Sequence, residues 1–109
     1  MKYMMLVCFD KSVDPAEEEG AMDIEDWVKE MDGRGVRLEG SALQPANATT
    51  VRVRGGETLV SDGPFAETKE LMVGYDMLEC ADLDEAIEVA SKHPLARTGA
   101  MDLRPFPQD

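Results

Sequence analysis

Met72-Val73-Gly74-Tyr75-Asp76-Met77-Leu78-Glu79 leads through Asp82-Leu83-Asp84-Glu85 into Ala86-Ile87-Glu88-Val89-Ala90, and Pro94 separates that run from Thr98-Gly99-Ala100-Met101-Asp102-Leu103-Arg104-Pro105-Phe106. The first piece has the length and apolar content of a strand. Asp82 stands at a helix N-cap with Glu85 three residues on, the spacing of a capping box, and Leu83, Ala86, Ile87 and Ala90 share one helical face. Pro94 stops that helix. In the last piece Ala100, Asp102 and Arg104 alternate against Met101 and Leu103, the period of a strand. The C-terminal half therefore reads strand, helix, strand.

The N-terminal half repeats the order. Lys2 to Phe9 is a nearly unbroken apolar run bounded by Asp10-Lys11-Ser12, short enough for a central strand. Asp14-Pro15 followed by Glu17 is a helix start, although Gly20 would cost such a helix about 1 kcal/mol and favours a later one. Ile24, Trp27, Val28 and Met31 recur at helical spacing, and Gly33 and Gly35 end the stripe. Val36 to Leu43 is the next strand. Between the halves, Thr49 to Arg54 alternates strictly and Gly55-Gly56 turns it into Glu57 to Ser61, a hairpin.

Two β-α-β halves with a hairpin between them predict an α+β fold, a ferredoxin-like β-α-β-(ββ)-β-α-β sandwich with both helices on one side of one sheet. Nothing in the chain is left to cover the other side, so a second copy is expected there and the protein is expected to be a homodimer.

The 109 residues and 12.0 kDa fit a single domain over residues 1–109 that hides roughly 65% of its unfolded surface. With 43% hydrophobic residues there is material for a core. The net charge of −12 and pI near 4.3 argue against nucleic acid and against anionic membranes as partners. No window has the roughly 20 apolar residues of a membrane span, and no small-residue cleavage site follows the first strand, which predicts a cytoplasmic protein. Cys8 and Cys80 fit neither a disulfide framework nor a metal spacing. Charge is uneven: residues 10 to 32 carry −8 and residues 34 to 54 carry +3. The acidic first helix is thus either a solvated face or a surface for a basic partner.

The most distinctive segment is Ser61-Asp62-Gly63-Pro64-Phe65-Ala66-Glu67-Thr68-Lys69-Glu70. Pro64 cannot donate to a sheet and restricts Gly63, so strand pairing ends here and the chain turns. With Gly74-Tyr75 downstream, Met4-Met5-Leu6-Val7, Leu43-Gln44-Pro45, Thr49-Thr50-Val51-Arg52 and the tail Arg104-Pro105-Phe106, the chain resembles the DGPF branch of the YCII-related family over essentially its whole length. The resemblance implies a dimeric α/β-barrel, small-molecule enzymes among some relatives, and a genomic association with extracytoplasmic-function sigma factors. Some relatives carry a proposed His-Asp pair with the histidine on the first helix. This chain has no histidine there, and that pair is not carried over.

Two functional classes follow. In the first, a cofactor-free domain binds a small organic molecule and moves a proton on it. Asp62 and His93, the only histidine, are then the candidate catalytic groups. Phe65 walls the cavity, Lys69 attracts an anionic group, and Tyr75 is either a core aromatic or a hydroxyl pointing into the pocket, with Gly74 beside it marking a bulge or a close approach. His93 also suits a simple cap, its cation meeting the dipole of the second helix. No metal is expected, because no two-ligand helical spacing exists. In the second class the chain is a non-catalytic interaction module whose acidic helix meets a partner such as a sigma factor.

Overall fold

The computed structural model describes residues 1–10, 12–14, 20–63 and 70–108, apart from the side chains of Pro45 and Glu70. In chain order its elements are β1 (Lys2–Asp10), α1 (Ile24–Gly33), β2 (Arg37–Ala42), β3 (Thr49–Arg54), β4 (Glu57–Asp62), β5 (Glu70–Glu79), α2 (Leu83–Ser91) and β6 (Gly99–Pro105). One sheet has the order β2-β5-β1-β6 with every neighbour antiparallel, and β3 pairs with β4 as a separate ribbon. This is the ferredoxin-like arrangement expected from the two β-α-β halves.

Alternation along β1 divides the sheet into two faces. Tyr3, Met5 and Val7 are buried and lie level with Leu78, Asp76 and Gly74 of β5. Trp27 and Met31 of α1 and Ala86, Val89 and Ala90 of α2 complete one core with them. Trp27 is fully buried, and its indole N–H donates to the Val89 carbonyl at 3.0 Å, tying the two helices together. At the surface Arg34 reaches Glu30 and Glu88, and Lys92 reaches the same two acids. Such exposed pairs contribute little each, yet they engage part of the acidic charge of α1 within the chain.

Two details differ from the sequence reading. The amphipathic helix starts at Ile24 rather than after Asp14: Gly20 has φ +82°, outside helical backbone, and Asp23 supplies the cap by accepting from the Glu25 N–H. Pro15, the predicted first helical residue, lies outside the described residues. On α2 the expected capping residues are in place, Asp82 accepting from the Glu85 N–H at 2.9 Å. Its buried face, however, is Ala86, Val89 and Ala90, while Leu83 and Ile87 are each 50% exposed. Both sets satisfy helical spacing. The buried stripe is thus turned toward Val89, with an alanine on either side of it.

The ribbon β3-β4 turns at Gly55 and Gly56, both with positive φ as a type I′ turn requires. Its Val51, Val53 and Val60, on one face by register, are 60%, 59% and 64% exposed. On the sheet's side away from the helices, Met4, Leu6 and Met77 are only half-buried and Met72 is exposed.

Candidate functional site

Asp76 occupies a core-facing position of β5, between Gly74 and Leu78 in the alternation, where an apolar residue would ordinarily sit. It is 6% exposed. Burying a carboxylate requires a partner, and Arg37 of β2 provides it: the guanidinium Nε donates to Asp76 Oδ1 at 2.8 Å and NH1 to Asp32 Oδ1 at 3.2 Å. Space for the pair comes from Gly40, where a Cβ would collide with Asp76 Oδ1 and come within 2.8 Å of the Arg37 guanidinium. Burial pushes the Asp76 carboxyl above its ordinary value, against the pull of Arg37.

Next to this pair the sheet is irregular. Val7 lies opposite Gly74 and Cys8 opposite Met72, so Val73 is the extra residue of a β-bulge. A Cβ on Gly74 would stand 3.1 Å from the Ser41 carbonyl, the close strand approach anticipated for a glycine in this strand. Bulge, β2 and the start of α1 border a half-open cavity of about 180 Å³ whose walls include Val7, Val28, Tyr75 and Leu95 and whose polar side chains include Arg37, Ser41, Asp76 and His93.

His93 reaches the cavity from the segment after α2. It is 4% exposed, edge-on to the Trp27 ring with centroids 4.8 Å apart. The imidazole caps the 3₁₀ turn Pro94–Ala96, Nδ1 accepting from the Leu95 N–H at 3.1 Å. This replaces the predicted cation on the dipole of α2: with Nδ1 an acceptor and burial lowering the pKa to about 4, the ring is neutral and carries its proton on Nε2.

That assignment has a measurable consequence. Because folding depresses the His93 pKa from 6.5 to about 4, the unfolded chain takes up a proton that the folded chain refuses between those values. Stability from this group is complete above pH 6.5 and falls as the pH drops toward 4. Asp76, raised by folding, contributes with the opposite sign. Comparing wild type with His93→Asn, which keeps an N-cap acceptor, isolates the histidine. Denaturation between pH 7 and 4 should show the wild type losing on the order of 2–3 kcal/mol more than the variant. Parallel profiles would mean that the imidazole is charged when folded.

The structure brings His93 and Tyr75 to the same cavity and leaves Asp62 out of its walls. Asp62 ends β4, exposed, opposite Thr49. Gly63 follows with φ +97°, its carbonyl accepting from the Thr50 hydroxyl. Phe65 and Lys69 lie outside the described residues, as does the Pro64-Phe65 half of the motif. The residues not foreseen are Asp76 and Arg37. Asp76 was legible as an acid on the apolar side of an alternating strand; Arg37, at the start of a strand, gave no such signal. Among the described residues no group of three His, Cys, Asp or Glu side chains is placed to hold a metal ion, and no helix is long and apolar enough to cross a membrane.

The family model for the YCII-related domain matches residues 1–106. The chain belongs to the YCII-related family. A relative, an uncharacterised protein of Rhizobium meliloti (strain 1021), is 37% identical over 124 residues, an alignment that takes in 97% of this YCII-related chain and 92% of the relative.

Proposed function

We propose that this YCII-related protein is a homodimer that binds a small organic molecule in the cavity beside Asp76 and moves a proton on it without a cofactor. The observation that carries the reading is a buried carboxylate and a buried neutral imidazole lining one cavity with largely apolar walls. A carboxylate whose pKa is raised by burial is a better base at neutral pH than an exposed one. Asp76 takes a proton from the ligand, the His93 Nε2–H donates to the oxygen on which negative charge develops, and Asp76 returns the proton at a second atom. The outcome is an isomerisation, balanced in protons and electrons. Incubating the protein in D₂O with small enolisable ketones and lactones tests this, with loss of the exchangeable C–H signals followed by NMR. Wild type should accelerate exchange and Asp76→Asn should not; exchange at the buffer rate throughout the set would refute the catalytic part.

The dimer rests on surface. The chain exposes 7393 Å², against roughly 6,000 Å² for a compact monomer of this mass. The excess exceeds the roughly 800 Å² that each partner contributes to a standard interface. An isolated two-stranded ribbon is marginal in water, so the valines of β3-β4 also need a cover. Light scattering should give twice the 12.0 kDa chain mass at micromolar concentration, and Leu6→Glu, on the sheet's uncovered side, should yield monomer. A wild-type monomer at that concentration would remove the dimer from the proposal.

A further inference from the structure

The cavity beside Asp76 is small for a ligand site. Its volume of about 180 Å³ lies below the roughly 300–1,000 Å³ in which proteins usually hold small molecules. A second hollow, of about 420 Å³, shares two of its walls, Ile24 and Leu95. Taken together, the two spaces fall within the usual range. Ile24 opens α1 on its apolar stripe, yet it is 44% exposed where Trp27 and Met31 are buried. A large apolar side chain thus stands uncovered where the two spaces meet.

The larger hollow is suited to carbon. Its remaining walls are Ala21, Met22, Asp23 and Pro94, and both Met22 and Leu95 pack against the core. Asp23 is the one charged wall, and its carboxylate is engaged as the cap of α1, accepting from the Glu25 N–H. An apolar group placed here would take water from these side chains and gain affinity with the apolar area covered. A third hollow, of about 230 Å³, also reaches His93, but Ser91, Lys92 and Arg97 line it, and an apolar chain there would cover polar groups.

Resting on the cavity reading above, we infer that the ligand has two parts: a compact polar head beside Asp76, and an apolar tail that crosses Ile24 and Leu95 into the larger hollow. The head is where the proton moves. The tail supplies affinity and selects by length, which makes Ile24 and Leu95 specificity-determining residues. Carbon of the same molecule is the occupant of the larger hollow, because that space shares walls with the cavity and presents apolar side chains.

Three methyl ketones that differ in length test the inference on the wild-type protein: 2-butanone, 2-hexanone and 2-octanone. Two-dimensional ¹⁵N–¹H spectra recorded during titration should show all three shifting the amides of Ser41 and Gly74 saturably. Only the longer two should also shift Ala21 and Met22. Each added methylene should tighten binding roughly threefold. Ala21→Phe, which places a ring in the larger hollow and touches no wall of the cavity, should bring 2-octanone to within about threefold of 2-butanone. The length series needs only wild type, so a poorly folding variant does not remove the test. If the three ketones bind equally at Ser41 and Gly74, the tail inference is wrong while the cavity reading stands. Length dependence with shifts at Met4 and Met77, on the sheet's uncovered side, and none at Ala21 and Met22 would also overturn it. If Ala21→Phe changes the mass found by light scattering and leaves the length series intact, a second copy fills the hollow and the tail does not. If no ketone moves any of these amides, the inference and the cavity reading both fall.

Discussion

Trp27→Ala should bring the protein close to unfolding, with a loss of about 3–5 kcal/mol. The side chain is fully buried where α1, α2 and the sheet meet, and truncation leaves a void that a core built of short helices cannot readily collapse. The indole N–H also bonds the Val89 carbonyl, so part of the loss is a broken tie between the helices. Against the 5–15 kcal/mol of a typical domain this is a large fraction. Urea denaturation followed by circular dichroism measures it, and Trp27→Phe separates the contributions: it keeps most of the apolar area and should cost about half as much or less. The ring also supports His93, so the phenylalanine variant should alter the cavity before it alters the fold. A stability change below about 1 kcal/mol for Trp27→Ala would contradict the central position of this residue.

Arg37→Met is expected to cost about 3 kcal/mol, because it leaves the Asp76 carboxylate buried with no partner. Asp76→Ala should cost less: the guanidinium keeps Asp32 on its exposed side. The double variant Arg37→Met with Asp76→Ala should be more stable than the sum of the two losses predicts, with a coupling of roughly 1–3 kcal/mol. Equilibrium denaturation of the four proteins closes this cycle. Strict additivity would show that the pair is screened by water and would weaken the case for a desolvated base in the cavity.

The fold was legible because periodicity, caps and turn residues agreed along the chain. Asp82 with Glu85, Gly55-Gly56, and the alternation of Thr49 to Arg54 each specify local structure without help from distant residues. The misplaced features were those that a single element does not decide. Leu83-Ile87 and Val89 are equally good helical stripes, and only the sheet selects between them. The site was partly legible for the same reason. His93 drew notice as the only histidine, yet its neutral state depends on Trp27 and on the turn after α2, which lie 66 and 1 positions away in the chain. Asp76 finds its partner in Arg37, from another strand, and nothing local in either residue announces the other. Asp62 drew attention through its motif, although its place at the end of an exposed ribbon puts it outside the cavity walls.

The missing side chain at Gly40 reaches beyond this one molecule. The acid at position 76 occupies the volume that any larger residue at 40 would claim, so the two positions are bound into a single steric choice. Related sequences should change them together: an alanine or serine at the first should accompany a shorter or uncharged residue at the second, and the arginine opposite should be released from its role in the same lineages.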